Sequence, residues 1–72
     1  MIYSYCKRGI YNNYTSQRLE EGDFVRQLSY WNGDSMKVIT TVWLLSVSEN
    51  EIVFEARGQN ISISIEDIED WD

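Results

Sequence analysis

Residues 61–65, Ile-Ser-Ile-Ser-Ile, alternate without exception, and a period of two is compatible only with an extended strand. Ile61, Ile63 and Ile65 then share one face, with Ser62 and Ser64 on the other. The same period governs 51–56, where Ile52, Phe54 and Ala56 alternate with Glu51, Val53 and Glu55. Residues 36–47 differ, because both parities are apolar: Val38, Val42 and Leu44 against Ile39, Trp43, Leu45 and Val47. Such a strand either lies between two layers or bends so that each half faces a different part of one core. Bending of this kind is common in small closed barrels. Short polar turns separate these runs, so 36–65 predicts an antiparallel meander around which the rest of the chain must pack.

Turn chemistry supports that order. Phe24–Trp31 reads as the preceding strand, with Phe24, Leu28 and Tyr30 on one face. Asn32-Gly33-Asp34 is a hairpin signal, predicted as a type I′ turn built on Asn-Gly. Ser48–Glu51 and Arg57–Asn60 are further turns, with Gly58 free to take positive φ. Residues 1–6 alternate weakly and predict a short strand. Residues 7–18 have no period, and are read as an irregular loop or a helical turn near 15–21. In the tail, Ile65, Ile68 and Trp71 are spaced by three, which predicts a turn of 3₁₀ or α helix over the open end of the barrel.

The 72 residues make one domain with a modest core. Cys6 is the single cysteine, so no intrachain disulfide supports it, and a lone cysteine fits a reducing compartment. No apolar run approaches the ~20 residues needed to cross a bilayer as a helix. The N-terminus lacks a basic segment followed by an apolar one, so the expected location is cytoplasmic, without membrane contact.

Charge divides the chain. Residues 1–18 hold Lys7, Arg8 and Arg18 with no acid, giving +3. Residues 19–72 hold all 12 acids with Arg26, Lys37 and Arg57, giving 3 − 12 = −9 and a net −6. The expectation is a tyrosine-rich basic leader, 1–21, on an acidic barrel body, 22–72. An acidic body repels phosphate, which disfavours duplex binding by the domain alone.

Four or five antiparallel strands ending in a helical turn predict an all-β, SH3-like or Sm-like barrel. Gly22-Asp-Phe-Val25 resembles the Gly-Asp-x-Val opening of many SH3-like barrel strands. Val25 to Asp70 resembles the C-terminal β-domain of the YolD-like family, in which a strand, a glycine turn, a long strand, a hairpin and an Ile-x-Ile-x-x-Asp-Ile ending come in the same order. Ile63-Ser-Ile-Glu-Asp-Ile68 is the matching stretch. The Asp-Arg-Gly and Ile-Lys-Trp segments upstream in that family have no counterpart; Lys7-Arg8-Gly9 stands nearest. The resemblance implies a fold and no activity.

Catalysis needs a nucleophile with a positioned base, a paired acid and base, or a metal. The chain has no histidine, one cysteine, and carboxylates placed on turns and outward strand positions. No enzyme, cofactor or metal site is therefore expected. The acid run Glu66, Asp67, Glu69 and Asp70 has no glycine and carries apolar anchors, unlike a calcium loop. With Glu51 and Glu55 it is expected to form one acidic stripe that binds a protein with a basic surface, if the closing strands lie side by side. Otherwise it is a solvated face. The alternative surface is the leader, Tyr3, Tyr5, Lys7, Arg8, Tyr11 and Tyr14 with Trp31. It suits either protein contact or single-stranded nucleic acid. The leading function is a small acidic interaction protein of the inhibitor or accessory-factor kind, as encoded by phages and mobile elements; the rival is a nucleic-acid-associated module. Open strand edges make a homodimer a further expectation.

Overall fold

The computed structural model describes residues 2–72, folded into two antiparallel sheets. In chain order the strands are β1 (Tyr3–Cys6), β2 (Gly9–Asn12), β3 (Arg18–Glu20), β4 (Phe24–Asn32), β5 (Ser35–Val47), β6 (Glu51–Ala56), β7 (Gln59–Ser64) and β8 (Ile68–Trp71), with a 3₁₀ turn at Ile65–Asp67. One sheet has the order β1-β2-β3, the other β7-β6-β5-β4-β8. The all-β expectation holds, and the strands of the meander fall within two residues of their predicted limits. Closure into a barrel is not found: β7 and β8 are the two edges of the larger sheet and do not pair with each other.

The leader is a folded layer, which corrects the loop or helix expected over 7–21. β1 and β2 pair in the register Tyr3↔Asn12 to Cys6↔Gly9, and β2 pairs with β3 from Gly9↔Glu20 to Tyr11↔Arg18. The signal was faint because these strands are only three or four residues long, too short to display a period. Asn12 shapes the connecting loop. Its buried side-chain oxygen accepts the N–H groups of Tyr14 (2.8 Å) and Thr15 (3.0 Å), satisfying backbone donors that the turn leaves without strand partners.

The core lies between the two sheets. Tyr3, Ile10 and Leu19 from the small sheet meet Val25, Leu28, Val42, Leu44, Ile52, Phe54, Ile63, Ile65 and Ile68. Burying a side chain such as Phe54 or Leu44 stabilises by about 1.5–3 kcal/mol, which is how a short chain without disulfides holds together.

The two-faced strand is bent, as the second of the sequence's alternatives requires. Thr41 has φ 58°, a left-handed backbone inside a 13-residue strand. Before it Ile39 turns toward the core while Val38 and Thr40 are exposed; after it Val42 and Leu44 are buried while Trp43 and Leu45 are exposed. The inward parity thus changes from odd to even at Thr41. β4 changes parity at the same level. Arg26 donates its N–H to the Asp72 carbonyl, and the Gln27 carbonyl accepts the Asp72 N–H (both 2.8 Å), so two residues of β4 oppose one. Val25 and Leu28 consequently both point inward, though they are an odd number of residues apart. A second bulge, at Leu45, lies between the pairs Leu44↔Phe54 and Ser46↔Val53.

Two turns differ in detail from expectation. Asn32 pairs with Ser35, so the loop is Gly33-Asp34 rather than Asn-Gly, and only Gly33 has positive φ, 65°. That is the type II′ pattern with glycine in the first central position. Arg57 (φ 54°) and Gly58 (φ 78°) are both left-handed, the type I′ pattern. The tail is helical only over Ile65–Asp67; Ile68–Trp71 then pairs with β4 as Tyr30↔Ile68, Ser29↔Asp70 and Leu28↔Trp71. Ile65 and Ile68 are buried and Trp71 is half-buried, so the three-residue spacing identified the inward positions although half of the segment is a strand.

Candidate interaction surfaces

The predicted acidic stripe is divided. Glu51 and Glu55 share with Val53 the outward face of β6. Asp70 lies on β8 opposite Ser29, and Glu69 sits at the β8 bulge. In the sheet order β5 and β4 separate those strands, because the tail turns back to pair with β4 instead of running on beside β7. Glu66 and Asp67 occupy the 3₁₀ turn, where the Ile65 N–H donates to the Asn50 carbonyl (3.0 Å) and brings Glu66 near Glu49.

The leader does not act as one surface either. Tyr3 is 3% exposed and belongs to the core; its hydroxyl donates to the Glu69 carbonyl (3.3 Å) and its ring packs on Trp71. Burial, reinforced by the charge of Asp70, raises its phenol above the ordinary tyrosine value, a side-chain hydrogen bond with Asn12 acting the other way. Tyr5 and Tyr11 are exposed but lie on opposite faces of the β1–β2 pair, since Tyr5 opposes Ile10 and Tyr11 opposes Ser4. Tyr14 stands out on the loop at 78% exposure. The basic charge is largely answered by the acids that follow it. Arg8 Nε pairs with Glu21 Oε1 (3.4 Å), and Arg18 Nε with Glu20 Oε1 (3.1 Å). Lys7 remains at the β1–β2 turn.

A different feature gathers on the solvent face of β4–β6. Phe24 opposes Trp43, their rings 4.9 Å apart and tilted 56°, and Trp43 opposes Glu55 on its other side. Leu45 follows at the bulge, and Phe24, Trp43 and Leu45 are each close to half exposed (46, 45 and 44%). Their exposure is a direct product of the parity change at Thr41, which turns Val42 and Leu44 inward and leaves the intervening large side chains outside. Glu55, opposite Trp43, and Glu51 on the same outward face of β6 border this patch, so it is apolar at its centre and anionic along its β6 margin. Residue type alone leaves the two apolar parities of this strand open, because it cannot tell which of them meets water.

Trp31 lies on the outward face of the other half of the sheet, opposite Met36, both exposed. Its Nε1 donates to Oε1 of Glu69 (2.9 Å), so this rim tryptophan is tied to the acidic tail. No helix among the described residues is long and apolar enough to cross a membrane. No protein-family model, curated protein or solved structure matches the chain.

Proposed function

We propose that the chain is a non-enzymatic interaction protein that binds a protein partner through the outward face of β4–β6. One observation carries this reading: Phe24, Trp43 and Leu45 form a contiguous half-exposed cluster within a carboxylate margin. Exposed apolar patches rimmed by polar groups mark binding sites, and aromatic side chains are the usual anchors. Glu51 and Glu55 would select a partner whose own apolar patch is bordered by Lys or Arg, and would speed its approach at low salt. A small acidic inhibitor or accessory factor fits this description.

The rival nucleic-acid reading has less support, because Arg8 and Arg18 are engaged by Glu21 and Glu20 and the leader tyrosines diverge. An SH3-like or Sm-like kinship, and with it the likeness to the YolD-like β-domain, is part of the same proposal. It is supported by the strongly bent β5 and the 3₁₀ turn ahead of the last strand.

The test is capture of proteins from a cell lysate by the wild type and by a Phe24→Ser, Trp43→Ser, Leu45→Ser triple variant. Binding to single-stranded oligonucleotides is measured in parallel. Loss of the captured protein with the triple variant, and weaker capture by Glu51→Gln with Glu55→Gln, is the expected result. An unchanged capture profile sinks the proposal, and oligonucleotide affinity lost on Lys7→Ala would move it to the leader.

A further inference from the structure

Trp43 stands in a row of side chains that crosses four strands on the solvent face. The register sets Phe24 of β4 opposite Trp43 of β5, Trp43 opposite Glu55 of β6, and Glu55 opposite Asn60 of β7. Residues directly opposite one another in antiparallel strands hold their β-carbons about 4.5–5.5 Å apart, so the four side chains are neighbours in sequence across the sheet. The Phe24 ring packs against the indole from the β4 side. On the β6 side no ring meets it among the described residues, and its cross-strand neighbour there is Glu55.

Glu55 has no cation of its own. It is half-buried and forms no salt bridge among the described residues. The basic side chains of the chain are engaged or placed elsewhere. Arg8, Arg18 and Arg26 pair with Glu21, Glu20 and Asp72. Lys37 lies opposite Tyr30 in the other half of β5, and Lys7 sits at the β1–β2 turn. Arg57, two residues beyond Glu55, lines an open groove with Val38 and Ile61. The row therefore holds a carboxylate without a counter-charge beside an exposed indole that one ring already braces.

We infer that this row receives an arginine of the protein partner, its guanidinium stacked on the β6 side of Trp43 and its N–H fork on the Glu55 carboxylate. The inference rests on the outward face of β4–β6 being the binding surface. Charge complementarity selects the occupant: Glu55, with Glu51 further along the same face of β6, attracts a cation and repels phosphate. Shape selects arginine over lysine. A guanidinium is planar and weakly hydrated, stacks on an indole and offers paired donors to a carboxylate, whereas an ammonium is a compact, strongly hydrated point charge. Asn60, exposed at the end of the row, offers an amide oxygen to an N–H that the carboxylate leaves over. Because Phe24 fixes the indole beforehand, little side-chain freedom is lost when the arginine arrives.

The probe is the peptide acetyl-Gly-Arg-Gly-amide, titrated at constant ionic strength while the indole N–H signals of the three tryptophans are followed by NMR. Lysine and citrulline peptides of the same form serve as comparisons, and Trp31 and Trp71 as internal references. The arginine peptide should move the Trp43 signal saturably at millimolar concentration and leave the other two in place. Its affinity should exceed that of the uncharged citrulline peptide by about fivefold and that of the lysine peptide by about threefold, and Glu55→Gln should lower it by about fivefold. A Trp43 signal that stays fixed up to about 50 mM peptide overturns the inference. So does an arginine peptide no tighter than its lysine or citrulline counterpart, or an affinity untouched by Glu55→Gln. The protein-binding role of the face is decided separately, by whether the Phe24→Ser, Trp43→Ser, Leu45→Ser variant loses the captured protein.

Discussion

Phe24 and Trp43 face each other across β4 and β5 on the solvent side of the sheet, ring centroids 4.9 Å apart. A cross-strand aromatic pair contributes about 0.2–1 kcal/mol, so the cluster is a small part of the stability and a large part of the exposed apolar surface. Trp43→Ser is accordingly expected to cost at most about 1 kcal/mol in urea unfolding while removing partner capture. A loss of several kcal/mol would instead make the pair a structural element.

Thr41 holds a left-handed backbone that a β-branched residue adopts at a cost of about 1–2 kcal/mol. Thr41→Gly and Thr41→Asn relieve it and should raise stability by about 0.5–1 kcal/mol after the entropy cost of glycine. Thr41→Pro, which fixes φ near −65°, should abolish the bend and the fold. Chemical denaturation of the three variants checks the order; a destabilised Thr41→Asn contradicts it.

A β-carbon on Gly9 would collide with the backbone carbonyl of Leu19 on the neighbouring strand. Backbone, unlike a flexible side-chain end, has little room to give. Gly9→Ala is expected to destabilise by about 1–3 kcal/mol, with the damage concentrated in β1–β3. Hydrogen exchange should show faster exchange at Ile10 and Leu19 than at Leu44 and Phe54; uniform change across both sheets counts against it.

Burial raises the Tyr3 phenol above its ordinary value of 10.0. The folded state therefore favours the protonated phenol, and its contribution is complete below about pH 10, where the unfolded chain is also neutral. As pH rises past that point the unfolded chain ionises first, so stability falls until the folded phenol also titrates. Tyr3→Phe should flatten this decline between pH 9 and 11 in urea midpoints. Equal slopes for the two proteins would place the loss elsewhere.

The meander was legible because its strands are long enough to show a period and its turns carry glycine at Gly33 and Gly58. The inward positions of the tail were also legible, from Ile65, Ile68 and Trp71. Pairing partners were not. Nothing local to Ile68–Trp71 says that it joins β4 and not β7, and on that choice the acidic stripe divides. The exposed cluster was hidden for a related reason: both parities of 36–47 are apolar, and only the φ of Thr41 decides which of them faces solvent. Of the leader, Lys7, Arg8 and Arg18 read as a basic patch because the residues that neutralise two of them, Glu20 and Glu21, lie across a fold the sequence does not announce.

The packing of Tyr3 on Trp71, centroids 4.8 Å apart, joins the first strand to the last. During synthesis the aromatic partner of Tyr3 is made after every strand of the meander. β1–β3 can form their hairpins early, yet they lack Trp71 and the Ile68 wall until β8 has been made. Docking of the small sheet thus waits for β8, and until then Tyr3, Ile10 and Leu19 are the apolar surface a nascent-chain chaperone would meet.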